Sequence, residues 1–173
     1  MQGTPSLKDV PFFRHLNHEE REELEELLEP AGFEAGETIF EEGGPEGRLY
    51  VITSGTVEVH KGVLPGRRQH LATMRAPTVV GEMGLLTEPR AAASVEARTP
   101  MEAYGIDRDR FLELLDADSP AACKVIYEIG RTLSERMTRT NRSVAEIIAR
   151  LEEADEARDI DVFRDHLIRE WSF

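Results

Sequence analysis

The hydrophobic pattern changes period twice along the chain. In the N-terminal part, Leu24, Leu27 and Leu28 fall on one face of a helix, and Asn17 followed by Glu20 has the spacing of a capping box. Residues 1–30 therefore read as a helical segment whose glutamates form a solvated face. From Ala31 to about Ile106 the helical period is lost. Short β-branched and aromatic runs follow one another, ETIF, LYVITSG, TVEVHKG, QHLATM, SVEA and MEAYGI, broken by Gly43-Gly44, Ser54-Gly55 and Pro65-Gly66. Such runs at close spacing predict an antiparallel barrel or jelly roll. In TVEVH, Val57 and Val59 alternate with Glu58 and His60, which predicts one face in the core and one in water.

The helical period returns at Asp107, an N-cap candidate for a short helix carrying Phe111, Leu114 and Leu115. Ser119-Pro120 then opens a long helix, because serine caps well and proline suits the first helical position. Along it Ala122, Ile126, Ile129, Leu133, Met137, Thr140, Val144, Ile147, Leu151 and Ala154 step by threes and fours, with a stutter at Leu133–Met137. Glu135 with Arg139 and Glu146 with Arg150 add favourably oriented pairs. A stripe this long is buried either by an identical helix, giving a homodimer, or by folding back over its own roll. In the tail, Ile160, Phe163, Leu167 and Trp171 again share one helical face, which docks on the roll, on the mate or on an effector.

The expected fold is thus mainly β with flanking helices. It divides into a helical segment (1–30), an antiparallel β-roll (31–118), a long dimerisation helix (119–155) and an amphipathic tail (156–173). Composition narrows the function. The formal net charge of −13 over 173 residues opposes a nucleic-acid surface, and the longest basic cluster is Arg67-Arg68. No apolar run approaches bilayer length, so no membrane partner is expected. The N-terminus lacks a secretory signal, and the single Cys123 cannot form an internal disulfide, so a cytoplasmic location is expected.

The chemistry concentrates in VGEMGLLTEPRAAASVEA, residues 80–97. A buried phosphate diester needs its charge neutralised and its oxygens hydrogen-bonded, and the planar guanidinium of Arg90 does both. Backbone N–H groups add donors where small side chains leave them bare, as at Ala91, Ala92 and Ala93. The segment after Gly81 fits one helical turn whose amides favour an anion. Glu82 is an acceptor, suited to a ribose hydroxyl. The same residues also fit a loop salt bridge between Glu82 and Arg90, with the alanines as ordinary strand residues.

The surrounding chain resembles the cyclic-nucleotide-binding domain family. The resemblance rests on Gly36-Glu37-Thr38-Ile39-Phe40, Glu42-Gly43, Leu49-Tyr50-Val51-Ile52 with Ser54-Gly55, Val57 and Val59, Gly81-Glu82-Met83, Leu85-Leu86, Pro89-Arg90-Ala91, and Phe111 with Leu114-Leu115, in the family's order. It implies a β-roll with flanking helices. The ligand cassette would comprise Gly81, Glu82, Met83, Arg90, Ala91 and Ala92, with Glu82 on the ribose and Arg90 on the cyclic phosphate. Against the family's commonest spelling, one residue is missing between Glu82 and Arg90 and one alanine is added before Ser94-Val95. If the two changes compensate, Arg90 reaches the pocket; if strand register holds from both ends, Ala91 takes the arginine's place. Members that favour cyclic GMP often carry a threonine after the arginine, so Ala91 implies cAMP rather than cGMP. The long helix would supply a lid over the base, with Arg136 at the right depth. The implied protein is a non-enzymatic regulatory module that binds no metal and signals to an effector protein.

Three other readings compete with this one. A metal enzyme on a small jelly roll would need paired histidines with a following glutamate, and neither His60 with His70 nor His15 with His18 has that spacing. A DNA-binding regulator would need a basic helix-turn-helix module, for which the stretch after Ser119 leaves no room. A degenerate roll that binds no nucleotide and serves as a dimerisation scaffold is the alternative function.

Overall fold

In a computed structural model, residues 7–64, 66–86 and 90–153 are described. The chain divides into two compact units after Ile129. The first holds two four-stranded sheets. Strands β1 (Glu29–Phe33), β2 (Thr38–Phe40), β3 (Arg48–Ser54), β4 (Thr56–Leu64), β5 (Arg67–Arg75), β6 (Thr78–Val80), β7 (Ser94–Ala97) and β8 (Met101–Asp107) assemble in the orders β1-β8-β3-β6 and β2-β7-β4-β5. All pairings are antiparallel. The expected β-roll with flanking helices is what forms.

The core follows from the alternation of the strands. Val57, Ile52, Phe40, Val80, Val95, Ala97, Met101 and Ala103 are buried together, and Phe33 and Tyr50, edge to face with one another, pack against them. Two expectations need adjustment. A strand that the pattern did not predict, β1 at Glu29–Phe33, precedes the ETIF run, and its Pro30 and Ala31 pair with Tyr104 and Ala103 of β8. The polar face of β4 is not simply in water: Glu58 is ion-paired with Arg98 at 2.9 Å, and the His60 ring stacks edge-on against His70. Both side chains are half-buried by these partners.

Helix α1 (His18–Glu25) begins at the anticipated capping box, in which Asn17 Oδ1 accepts from Glu20 N–H and Glu20 Oε2 accepts from Asn17 N–H. The N-terminal segment before it is two 3-10 turns, Leu7–Asp9 and Pro11–Phe13, rather than continuous α-helix. Helix α2 (Arg108–Asp116) is capped by Asp107, and α3 (Pro120–Glu153) by Ser119, whose hydroxyl accepts from the Ala122 amide.

A polar clasp ties the N-terminal segment to the first turns of α3. Ser119 donates to Glu23 at 2.7 Å, Lys124 reaches both oxygens of Glu20, and the buried Glu128 faces Arg14 and His15. The Lys124 hydrogen bond, with the Asn17 amide, holds the Glu20 carboxyl below its ordinary range.

The second unit begins at Gly130. Within it Met137 and Ile147 are exposed, and Leu133 and Val144 are half-buried. The ion pair found there joins Glu135 to Arg131, not to Arg139. The Arg150 and Leu151 side chains and the tail carrying Ile160, Phe163, Leu167 and Trp171 lie outside the described residues. Among the described residues no helix is long and apolar enough to cross a membrane.

Candidate functional site

Strand β6 ends at Val80, and at Gly81 the backbone turns with φ +86°. A Cβ here would lie 2.3 Å from the Arg48 carbonyl oxygen and 2.9 Å from Phe40 Cζ, so space and conformation both demand glycine. The turn delivers Glu82, 4 % exposed, to the head of the anticipated helical turn, a 3-10 turn over Met83–Leu85 closed by Leu86 N–H on the Met83 carbonyl at 3.0 Å. Met83 is half-buried.

The 3-10 turn rests on a second carboxylate that the sequence reading missed. Gly84 packs against Glu46, so closely that a Cβ would stand 2.6 Å from the Glu46 carbonyl oxygen and 2.8 Å from its Cγ. Glu46 is 7 % exposed, and its Oε2 is buried without a hydrogen-bond partner among the described residues. Burial, and next the charge of Glu82, push its carboxyl up to about 7. In the sequence, Gly44-Pro45-Glu46-Gly47 carries only a turn signal. Nothing local tells that its glutamate folds inward.

Arg108, the first residue of α2, joins the two arms. Its Nε donates to the Gly84 carbonyl at 2.8 Å and its amide donates to the Gly47 carbonyl at 3.0 Å. The start of α2 is thereby fastened to both the 3-10 turn and the Glu46 loop.

Arg90 forms an isolated antiparallel bridge with Pro45, the neighbour of Glu46. Its side chain is exposed, and Nη1 donates to the Gly43 carbonyl at 3.1 Å. Ala91 is the residue whose side chain enters the interior, 4 % exposed among Phe40, Val57 and Val95. Its amide and carbonyl are engaged by Gly44 and Gly43, at 2.9 and 2.8 Å, so this amide is not a bare anion donor as the small side chains suggested. Ala92 is exposed, and its carbonyl accepts from Lys61 Nζ at 2.6 Å. Ser94 Oγ accepts from the Glu42 amide. Glu42 in turn accepts from Gly62 N–H and Lys61, and those bonds lower its carboxyl pKa.

The site therefore holds two buried carboxyls within electrostatic reach of each other, and a guanidinium on the segment bridged to the same loop. It presents an acceptor for a hydroxyl and a cation for an anion. By contrast, a cleft of about 530 Å³ beside α1 is lined by Glu19, Glu20, Glu22, Glu23 and Glu26, which would repel an anion.

The chain is similar in sequence and fold to known proteins. The CRP-like cAMP-activated global transcriptional regulator of Mycobacterium tuberculosis is 32 % identical over 125 residues, 72 % of this chain and 54 % of that protein. The chain thus spans about half the length of the relative it matches. The crystal structure of Thermus thermophilus catabolite activator protein superposes with a TM-score of 0.70 at 25 % identity, covering 79 % of this chain and 62 % of that one. The regulatory subunit of a cAMP-independent protein kinase A from Trypanosoma brucei gives a TM-score of 0.65 at 28 % identity, covering 73 % and 44 %. Residues 31–118 match the family described as the cyclic nucleotide-binding domain, and the chain belongs to that family.

Proposed function

We propose that this chain binds a cyclic nucleotide, cAMP in preference to cGMP, at the Gly81–Ala92 cassette, and passes the occupied state to a protein partner through α2 and α3. The carrying observation is the buried Glu82 at the glycine turn, with Arg90 bridged to the loop that packs under the same turn. Glu82 would accept from the ribose hydroxyl and Arg90 would meet the cyclic phosphate. Ala91 offers no hydroxyl to a guanine. The similarity to a cAMP-activated regulator supports the ligand class.

The double attachment of Arg108 supports the route of signalling. Ligand that draws the 3-10 turn inward acts on the first residue of α2, and such coupling requires tighter binding to one arrangement of the helix than to the other. The protein is read as a regulator rather than an enzyme, working in the cytoplasm on an effector protein, with no direct contact to nucleic acid or membrane. A homodimer through residues 119–155 is part of the reading. Sedimentation of the Met137→Glu, Ile147→Glu double variant, at two exposed apolar positions, is expected to give monomer from dimer. Unchanged mass would remove that part.

Calorimetric titration with cAMP and cGMP tests the central claim. Wild type should bind cAMP, and Arg90→Ala should weaken binding by roughly tenfold to a hundredfold, the range of one charge-assisted hydrogen-bonded contact of about 1.5–3 kcal/mol. No heat at millimolar nucleotide would sink it. A second reading, a roll that binds no nucleotide and serves as a scaffold, is favoured by the buried Ala91 beside an exposed Arg90. The similarity to a regulatory subunit of a cAMP-independent kinase is consistent with it.

A further inference from the structure

A carboxyl enclosed without a donor keeps its proton, since the ionised form loses water and gains nothing in return. Glu46 is in that condition, nine-tenths buried with an Oε2 that has no partner among the described residues. The charged groups on the elements around it do not relieve it. Glu82, delivered by the turn after β6, adds a negative neighbour. Arg108, at the start of α2, directs Nε to the Gly84 carbonyl and approaches Asp109 at 3.7 Å. Arg48, in β3, is paired with Glu29 at 2.8 Å. Arg90, bridged to Pro45, directs Nη1 to Gly43.

We propose that Glu46 is a further residue of the nucleotide site and that it must carry a proton for an anionic ligand to occupy the place beside Glu82. This rests on the nucleotide-binding reading. A phosphodiester entering next to Glu82 brings one more negative charge to a pair already crowded by like charge. An ionised Glu46 would oppose it, whereas a neutral Glu46 both removes that repulsion and offers Oε2 as a hydrogen-bond donor or acceptor. Binding therefore takes up a proton whenever the solution pH stands above the point where Glu46 is protonated in the empty site. By linkage, affinity is greatest in mild acid and falls as the medium becomes alkaline. Glutamine at this position has the same shape and stays neutral.

The test is calorimetric titration of the full chain with cAMP at about pH 6 and about pH 8.5, each in two buffers of different ionisation enthalpy. Wild type is expected to lose roughly tenfold or more in affinity at the higher pH and to take up about one proton there. Glu46→Gln is expected to bind with nearly the same affinity at both pH values and without proton uptake. Equal wild-type affinity at the two pH values without proton exchange, or a full pH slope kept by Glu46→Gln, overturns the role of Glu46 and leaves the nucleotide reading intact. No binding by either protein at either pH overturns both. Should the glutamine variant fail to fold, the proton count on wild type decides.

Discussion

Replacing Glu46 by glutamine should change how the unliganded protein's stability depends on pH. In the unfolded chain this carboxyl titrates at its ordinary value of 4.5, and in the folded protein at about 7. A raised acid pKa means that the folded state binds more protons, so stability falls as pH rises from 4.5 and stops falling above about 7. At about 1.36 kcal/mol per unit, the interval corresponds to about 3 kcal/mol in full, most of it expressed between about pH 5 and about pH 7. Urea unfolding at several pH values, with wild type and Glu46→Gln in parallel, measures it. The glutamine amide brings its own burial cost of about 1–3 kcal/mol, but that cost does not titrate. The quantity to read is therefore the gap between the two curves, which should move by roughly 2–3 kcal/mol in favour of the variant from pH 5 to pH 8. For a chain of this size that equals about 4–12 °C in Tm. Parallel curves would refute the reasoning, because they would mean that Glu46 titrates alike in the folded and unfolded states.

Two further outcomes test the scaffold of the site. Gly81→Ala should cost at least about 2 kcal/mol in urea unfolding, since the added Cβ meets the Arg48 carbonyl and the Phe40 ring at a positive φ. Asn17→Ala removes the side chain that accepts from Glu20 N–H and should cost about 1 kcal/mol by the same measurement, with nucleotide affinity unchanged.

What the sequence made legible is local. The capping box at Asn17–Glu20, the Asp107 and Ser119 caps and the alternation around Val57 are each set within a few residues, and the structure has them where the pattern put them. The turn after Gly81 was readable for the same reason. Strand β1 was not, since Glu29-Pro30-Ala31-Gly32-Phe33 has little strand character of its own and pairs because β8 offers an edge. The partner of Glu135 was misjudged because either Arg131 or Arg139 lies within reach on the same helix. Glu46 was invisible because its burial comes from Gly84, thirty-eight residues away in the chain, closing over it. The sequence allows two registers around Arg90, and the structure buries Ala91 while leaving Arg90 exposed. Arg108 gave no signal at all. Its importance comes from two backbone carbonyls that meet only in three dimensions.

The clasp between the N-terminal segment and α3 bears on how the protein can be cut. Glu128 is 3 % exposed and faces Arg14 and His15, while Ala121, Ala122, Val125 and Ile129 are buried nearby on the same helix. A fragment trimmed to the family-matched residues 31–118 would discard both halves of that fastening together. A fragment that kept α3 but began after Glu26 would instead keep Ser119, Lys124 and Glu128 while losing Glu23, Glu20, Arg14 and His15, the groups they meet in the whole chain.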